Sequence, residues 1–165
     1  MSYIVEKDWL TSAGFRAVVT MGSMGHRCGY VGVNKDHPLY EKDYNDSLDC
    51  INIDESEEIG KRSILSLLCA RKSSPLLVFD VHGGITYAGG GGSIEDNKYP
   101  VISDLWWFGY DCNHLGDAKS PEYIDKEFSQ DHAFYSYSDG IHRSLDYCID
   151  ECESLATQFL TKVKV

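Results

Sequence analysis

Near its end the chain carries Leu145, Cys148, Ile149, Cys152, Leu155, Ala156, Phe159 and Leu160 at i, i+3, i+4, i+7 and i+8 spacing, with Asp146, Asp150, Glu151 and Glu153 between them. That period predicts an amphipathic helix of about twenty residues with a single apolar stripe. Such a stripe is stable only against a second layer, so the rest of the chain must supply one. Upstream segments read as strands. Phe15 to Met21 alternates and is β-branched, Gly22-Ser-Met-Gly25 is a turn, and His26 to Val33 is a second strand, which together predict a hairpin. The alternation puts Arg27, Gly29, Val31 and Val33 on one face and His26, Cys28, Tyr30 and Gly32 on the other.

Further strands are expected at 50–53, at 85–88 and over Leu105 to Cys112, where Trp106, Phe108 and Tyr110 share one side and Trp107, Gly109 and Asp111 the other. Pro75 to Val81 is almost wholly apolar and reads as the strongest strand, central and covered on both faces. Asp8-Trp9-Leu10 begins either a strand or a short helix. Ile64, Leu67 and Leu68 follow helical spacing, which predicts a helix over 56–72 with Glu57 and Glu58 at its start and Arg71 and Lys72 at its end. Gly89 to Gly92 reads as a flexible loop, and 34–49 and 118–141 as polar excursions. The expected architecture is one domain, 1–165, of α+β class: a mixed or antiparallel sheet packed by a central helix and a long C-terminal amphipathic helix.

Charge narrows the function. The 165 residues hold 26 acidic and 15 basic side chains, a formal net charge of −11. Long nucleic acids are held by many Lys and Arg contacts, which this surplus of carboxylates opposes. A small anion remains compatible, because a local pocket can be rich in backbone amides. No stretch approaches the roughly 18 apolar residues of a membrane span. No apolar h-region stands in the first thirty residues, so neither a signal peptide nor membrane association is expected. The six cysteines, at 28, 50, 69, 112, 148 and 152, include no C-x-x-C and read as reduced thiols filling apolar space.

Three segments place ionisable groups at the ends of apolar runs: His26 to Tyr30, Asp80-Val-His82-Gly-Gly84 with Tyr87, and Trp106 to Asp117. Strand ends are where a rigid scaffold meets loops, and binding groups concentrate there. If the runs are neighbours, Asp80, His82, Asp111 and His114 converge. Two His and two or three Asp would bind a divalent metal through N and O ligands, although Asp111-x-x-His114-x-x-Asp117 is no established metal signature. No cofactor is required by any motif. Without metal, a carboxylate-held imidazole is a general acid or base.

A binding reading uses the same residues. His82 and His114 handle phosphate or protons, with Asp80, Asp111 and Asp117 orienting them. Trp107, Tyr30 and Tyr87 offer stacking faces, Gly83 and Gly84 allow close backbone approach, and Arg27, Arg16 and Arg143 neutralise charge. The bland alternatives are a sheet core for the aromatics, Asx turns for the aspartates, and loop positions for His37, His132 and His142. Three function classes follow: a binder of a small nucleotide-derived ligand, a hydrolase of such a ligand with or without metal, and an acidic protein–protein inhibitor. A homo-oligomer is compatible with each.

The segments His26-Arg-Cys-Gly-Tyr-Val-Gly-Val33, His37-Pro-Leu-Tyr40, Asp80-Val-His-Gly-Gly-Ile-Thr-Tyr87 and Trp106-Trp-Phe-Gly-Tyr-Asp-Cys-Asn-His-Leu-Gly-Asp117, with the terminal 143–158 helix, resemble a group of small proteins from phage and bacterial genomes. The resemblance spans about residues 26–158. It implies a cytosolic, phage-borne accessory protein and carries no catalytic residue across. By analogy of context alone, small phage proteins of this kind sequester or cleave nucleotide messengers of host defence.

Overall fold

A computed structural model of the chain describes residues 3–51, 74–90, 99–120, 122 and 140–164. Five strands, β1 (Tyr3–Leu10), β2 (Arg16–Gly22), β3 (Arg27–Val33), β4 (Tyr87–Gly90) and β5 (Trp106–Asp111), form one sheet in the order β1-β2-β3-β5-β4. Every neighbouring pair is antiparallel. Among the described residues two helices accompany it: a single turn, α1 (Pro75–Val78), and the long α2 (Leu145–Lys162). The class is α+β, and the sheet is antiparallel rather than mixed.

The hairpin expected from residues 15–33 is β2 and β3, in register Arg16↔Gly32 through Met21↔Arg27. Alternation sorts its side chains as the sequence implies. Ala17, Val19, Val31 and Val33 point to the α2 side with Phe108 and Tyr110 of β5. Val18, Tyr30 and Trp107 form a smaller cluster on the opposite side, under Tyr87, Tyr99 and Val101. Both faces of the central strands are therefore buried, and burying each large apolar side chain contributes roughly 1.5–3 kcal/mol.

Helix α2 lays Cys148, Cys152, Leu155, Ala156 and Phe159 across β3 and β2. Ser144 caps it by accepting the Tyr147 N–H at 3.1 Å, and Lys162 sits in its last turn, where a cation suits the helix dipole. Phe159 is fully buried and meets the rings of Phe79, Phe108 and Phe15 edge-on at 4.9, 5.6 and 5.9 Å. The β1–β2 turn is tied to α2 through Glu153, whose carboxylate accepts from Trp9 Nε1 at 2.8 Å and from the Ser12 amide at 2.9 Å.

One expectation fails. Residues 75–81 are not a strand. Ser74 and Pro75 open a helical turn, Phe79 ends it, and the chain runs on to a turn in which the Gly84 N–H donates to the Val81 carbonyl at 2.9 Å. A short apolar run reads alike for a buried strand and a buried helical turn, and proline at the first helical position decides it here. The expected burial survives, since Val78, Phe79 and Val81 all lie in the main core. Asp8-Trp9-Leu10 belongs to a strand, the first of the two alternatives its sequence allows. A smaller difference is that β4 takes in Gly89 and Gly90. Of the strand expected at 50–53, Ile51 bridges Val163, while 52–53 lie outside the described residues. The helix expected over 56–72 and most of the 118–141 excursion lie outside the described residues.

The described cysteines are free thiols, with Cys112, Cys148 and Cys152 buried. Cys112 and Cys148 place their sulfurs 3.7 Å apart, and burial pushes the Cys152 thiol up to about 12. Among the described residues no helix is long and apolar enough to cross a membrane.

Candidate functional site

Beyond Asp111 the chain turns back on itself: the Asp117 N–H donates to the His114 carbonyl and the His114 N–H donates to Asp117 Oδ2, each at 3.0 Å. The turn swings the Asp117 carboxylate under the imidazole of His114. Residues 140–143 lie alongside. Ile141 bridges Asp117, and Arg143 donates from Nε to Asp117 Oδ1 at 2.9 Å. From the far side comes the 81–84 turn. His82 Nε2 meets Asp117 Oδ2 at 2.8 Å, His82 Nδ1 shares a hydrogen bond with the Tyr147 hydroxyl at 3.0 Å, and the His82 N–H donates to Glu151 Oε2 at 2.7 Å.

Asp117 is the hub. Its side chain is 2% exposed and receives Arg143, His82 and the His114 amide. Burial alone pushes its pKa up, but the Arg143 guanidinium, the His114 amide and His82 outweigh that and hold it below the usual carboxylate value. His82 is engaged at both ring nitrogens and 11% exposed.

His114 is different. Its side chain is 35% exposed, yet Nδ1 is buried and has no hydrogen-bond partner among the described residues. Asp111 Oδ1 at 3.8 Å and Asp117 Oδ2 at 3.9 Å flank that nitrogen, both beyond hydrogen-bond length. The ring rests on the backbone of Gly83, whose φ is +67° and where an added Cβ would fall 2.1 Å from His114 Cε1. Gly83 thus supplies both the left-handed turn and the floor under the imidazole. The two imidazole centroids are 5.6 Å apart.

The predicted site residues therefore divide. His82, His114, Asp111, Asp117 and Gly83 come together, and Gly84 closes the same turn. Asp80 does not join them. It is exposed, and its backbone pairs with the Gln158 side chain at 2.8 and 2.7 Å, because the segment is not a strand and Asp80 and His82 share no face.

Trp107 and Tyr30, expected to stack on a ligand, are 0% and 3% exposed on the other side of the sheet. Trp107 Nε1 donates to Ser103 Oγ, and the Tyr30 and Tyr99 hydroxyls are bonded. Tyr87 packs edge-on against both tyrosine rings. These aromatics are core. Arg27 is paired with Glu6 at 2.6 Å and donates to the Arg143 carbonyl at 2.7 Å, so it braces the segment that carries Arg143. Arg16 pairs with Asp8.

Sequence reasoning missed Tyr147 and Glu151. Tyr147 and Glu151 are one helical turn apart at the border of the α2 stripe, a signal that in retrospect marks the helix edge facing a polar neighbour. His26, in the first of the three predicted segments, has a buried Nδ1 with no hydrogen-bond partner among the described residues, and burial lowers its pKa against the pull of Asp111.

Chemically, one ligand atom from each of His82, His114 and Asp117 lies within 4.8 Å of the other two. The set can hold a proton between imidazole and carboxylate, or a cation in its place. No protein-family model matches this chain, and no curated protein or solved structure matches it.

Proposed function

We propose that the protein binds a small, phosphate-bearing, nucleotide-derived molecule at the rim formed by His114, Gly83 and Asp117, and that it holds this ligand rather than cleaving it, as a phage-borne accessory protein would hold a host-defence signalling nucleotide. The observation that carries the reading is the half-exposed His114 imidazole, seated on a bare glycine beside a buried, fully bonded carboxylate. The Asp117 and His82 side chains beside it are fixed by their hydrogen bonds and lose little freedom when a ligand arrives. Holding is favoured over cleavage because His82 has both ring nitrogens engaged, which leaves one imidazole where acid–base hydrolysis uses two partners. Among the described residues no aromatic platform supports base stacking, so recognition by them falls on the phosphate and sugar.

Isothermal titration with inorganic phosphate, a nucleoside monophosphate, a nucleoside diphosphate and a cyclic dinucleotide tests the reading, run on wild type and His114→Ala. At least one nucleotide should bind wild type and lose most of its affinity in the variant. Recovery of the ligand unchanged after denaturation supports holding. Equal binding by both proteins, or none by either, rejects the site.

Cleavage is the second reading, favoured by the placement of His114 Nδ1 between Asp111 and Asp117. A carboxylate on one imidazole nitrogen would orient the other as a base. Chromatography showing product that disappears in His114→Ala would establish it.

A further inference from the structure

We infer that His82, His114 and Asp117 form a three-ligand site for a first-row transition ion of zinc type, with at least one coordination position left for a ligand; as the means by which this acidic site takes a phosphate, the inference rests on the function proposed above. Four observations converge on it.

First, the donor set is two imidazole nitrogens and one carboxylate oxygen, gathered from the 81–84 turn and the loop after β5 to within 4.8 Å of one another. Imidazole with carboxylate suits zinc and its neighbours, whereas magnesium and calcium take all-oxygen shells. Second, the spacing is within reach. Bonds of about 2.0–2.2 Å to a tetrahedral ion spread its ligand atoms to about 3.3 Å. His82 Nε2 and Asp117 Oδ2 stand at 2.8 Å, and His114 Nδ1 and Asp117 Oδ2 at 3.9 Å, so one pair opens and the other closes by about half an ångström. The two imidazoles, whose ligand atoms lie within 4.8 Å, draw together by a turn of the half-exposed His114 ring. The ion replaces the proton shared by His82 and Asp117.

Third, the outer partners a metal site needs are already placed. His82 turns its other nitrogen to the Tyr147 hydroxyl at 3.0 Å, which holds the ring in place and can accept the Nδ1 proton once Nε2 is a ligand. Asp117 gives its second oxygen to Arg143 at 2.9 Å. Fourth, His114 Nδ1 is a buried polar atom with no hydrogen-bond partner among the described residues, and it faces the same point. Such an atom calls for a missing partner, and a cation between it and Asp117 supplies one. The Gly83 floor holds the imidazole ready for that role.

The thiols are the competing zinc donors, since Cys112 and Cys148 are neighbours under the site. The test is therefore metal titration of the full chain after chelator treatment, with Zn²⁺ by calorimetry and Co²⁺ by visible absorption, on wild type, His114→Ala and Cys112→Ser. One equivalent of Zn²⁺ should bind wild type and Cys112→Ser alike, and bind His114→Ala about 100-fold more weakly. Mg²⁺ should not compete, and the Co²⁺ spectrum should lack thiolate charge-transfer bands. Circular dichroism shows whether His114→Ala is folded. If it is not, Asp117→Asn takes its place, with the same loss expected.

No binding by wild type, unchanged binding by the folded variant, or thiolate bands lost in Cys112→Ser would each overturn the site. Nucleotide binding that survives chelator unchanged would leave the proposed function standing and remove the ion from it. Zinc binding without any nucleotide affinity would do the reverse.

Discussion

Gly83→Ala separates what the backbone requires at the site from what the imidazole requires. At φ +67° a residue with a Cβ is in the left-handed region, at a cost of about 1–2 kcal/mol. The added methyl also falls 2.1 Å from His114 Cε1, 2.4 Å from Nδ1 and 2.5 Å from Nε2, whereas carbon atoms rest at about 3.5–4.0 Å. The ring must therefore move by about 1.5 Å, and it can, because its side chain is 35% exposed and only its backbone amide is tied to Asp117.

Stability should accordingly fall by no more than the backbone penalty, while the site is lost. Gly116→Ala is the control: its φ is +96° and nothing lies within 4 Å of the new Cβ, so it carries the conformational cost without the clash. Urea unfolding followed by tryptophan fluorescence should give both variants a loss of about 1–2 kcal/mol. Only Gly83→Ala should shift the His114 Cε1 proton resonance and abolish ligand or metal binding. If the two variants bind equally and the resonance stays in place, the imidazole does not rest on Gly83 and the reasoning about a rigid site is wrong.

Other expectations follow from the same geometry. Phe159→Ala removes a fully buried ring and should cost about 3–5 kcal/mol in urea with an unchanged denaturant slope; a loss under 1 kcal/mol would mean that α2 does not lock onto the sheet through this side chain. Asp117→Asn keeps the shape but removes the charge that receives Arg143, His82 and the His114 amide, and should cost about 1–3 kcal/mol, the lower end applying because Arg143 is 24% exposed. His37 accepts the Leu39 N–H at Nδ1 and packs edge-on against Phe15, and burial lowers its pKa. Its unfolded form then takes up protons first, so its contribution to stability is complete above about pH 6.5 and is lost as pH falls from there through the lowered folded value. His37→Asn, whose side-chain oxygen can replace Nδ1, should flatten the fall in urea midpoint between pH 7.5 and 5, and an unchanged slope would assign that fall elsewhere.

The hairpin of β2 and β3, the aromatic strand β5 and the terminal helix were legible because each is long enough for its period to declare itself. Pro75–Val78 was not, since four apolar residues fit either period and only Ser74-Pro75 distinguishes them. That one misreading displaced Asp80 into the site. Trp107 and Tyr30 were misassigned for another reason: alternation tells which residues share a face but not that loop residues around Tyr99 and Val101 cover the second face. The convergence of His82, His114 and Asp117 was readable only as residue types at segment ends. Register and the packing of α2, which bring in Tyr147 and Glu151, come from contacts remote in the chain.

Charge links the two functional inferences. Asp111, Asp117 and Glu151 all reach the site, on a chain of net charge −11, and Asp117 has already matched itself to Arg143. Near a protein surface two like unit charges at 4 Å repel by about 4 kcal/mol, enough to cancel much of what a phosphate gains from hydrogen bonds. An ion bound by His82, His114 and Asp117 reverses the sign of that term at the position where His114 is open to solvent. Coupling of this kind is reciprocal: the factor by which the ion tightens the nucleotide must equal the factor by which the nucleotide tightens the ion. Titrating each in the presence and absence of the other measures that factor twice. Agreement well above unity would show one shared site, whereas a factor of one would separate the phosphate from the imidazoles altogether.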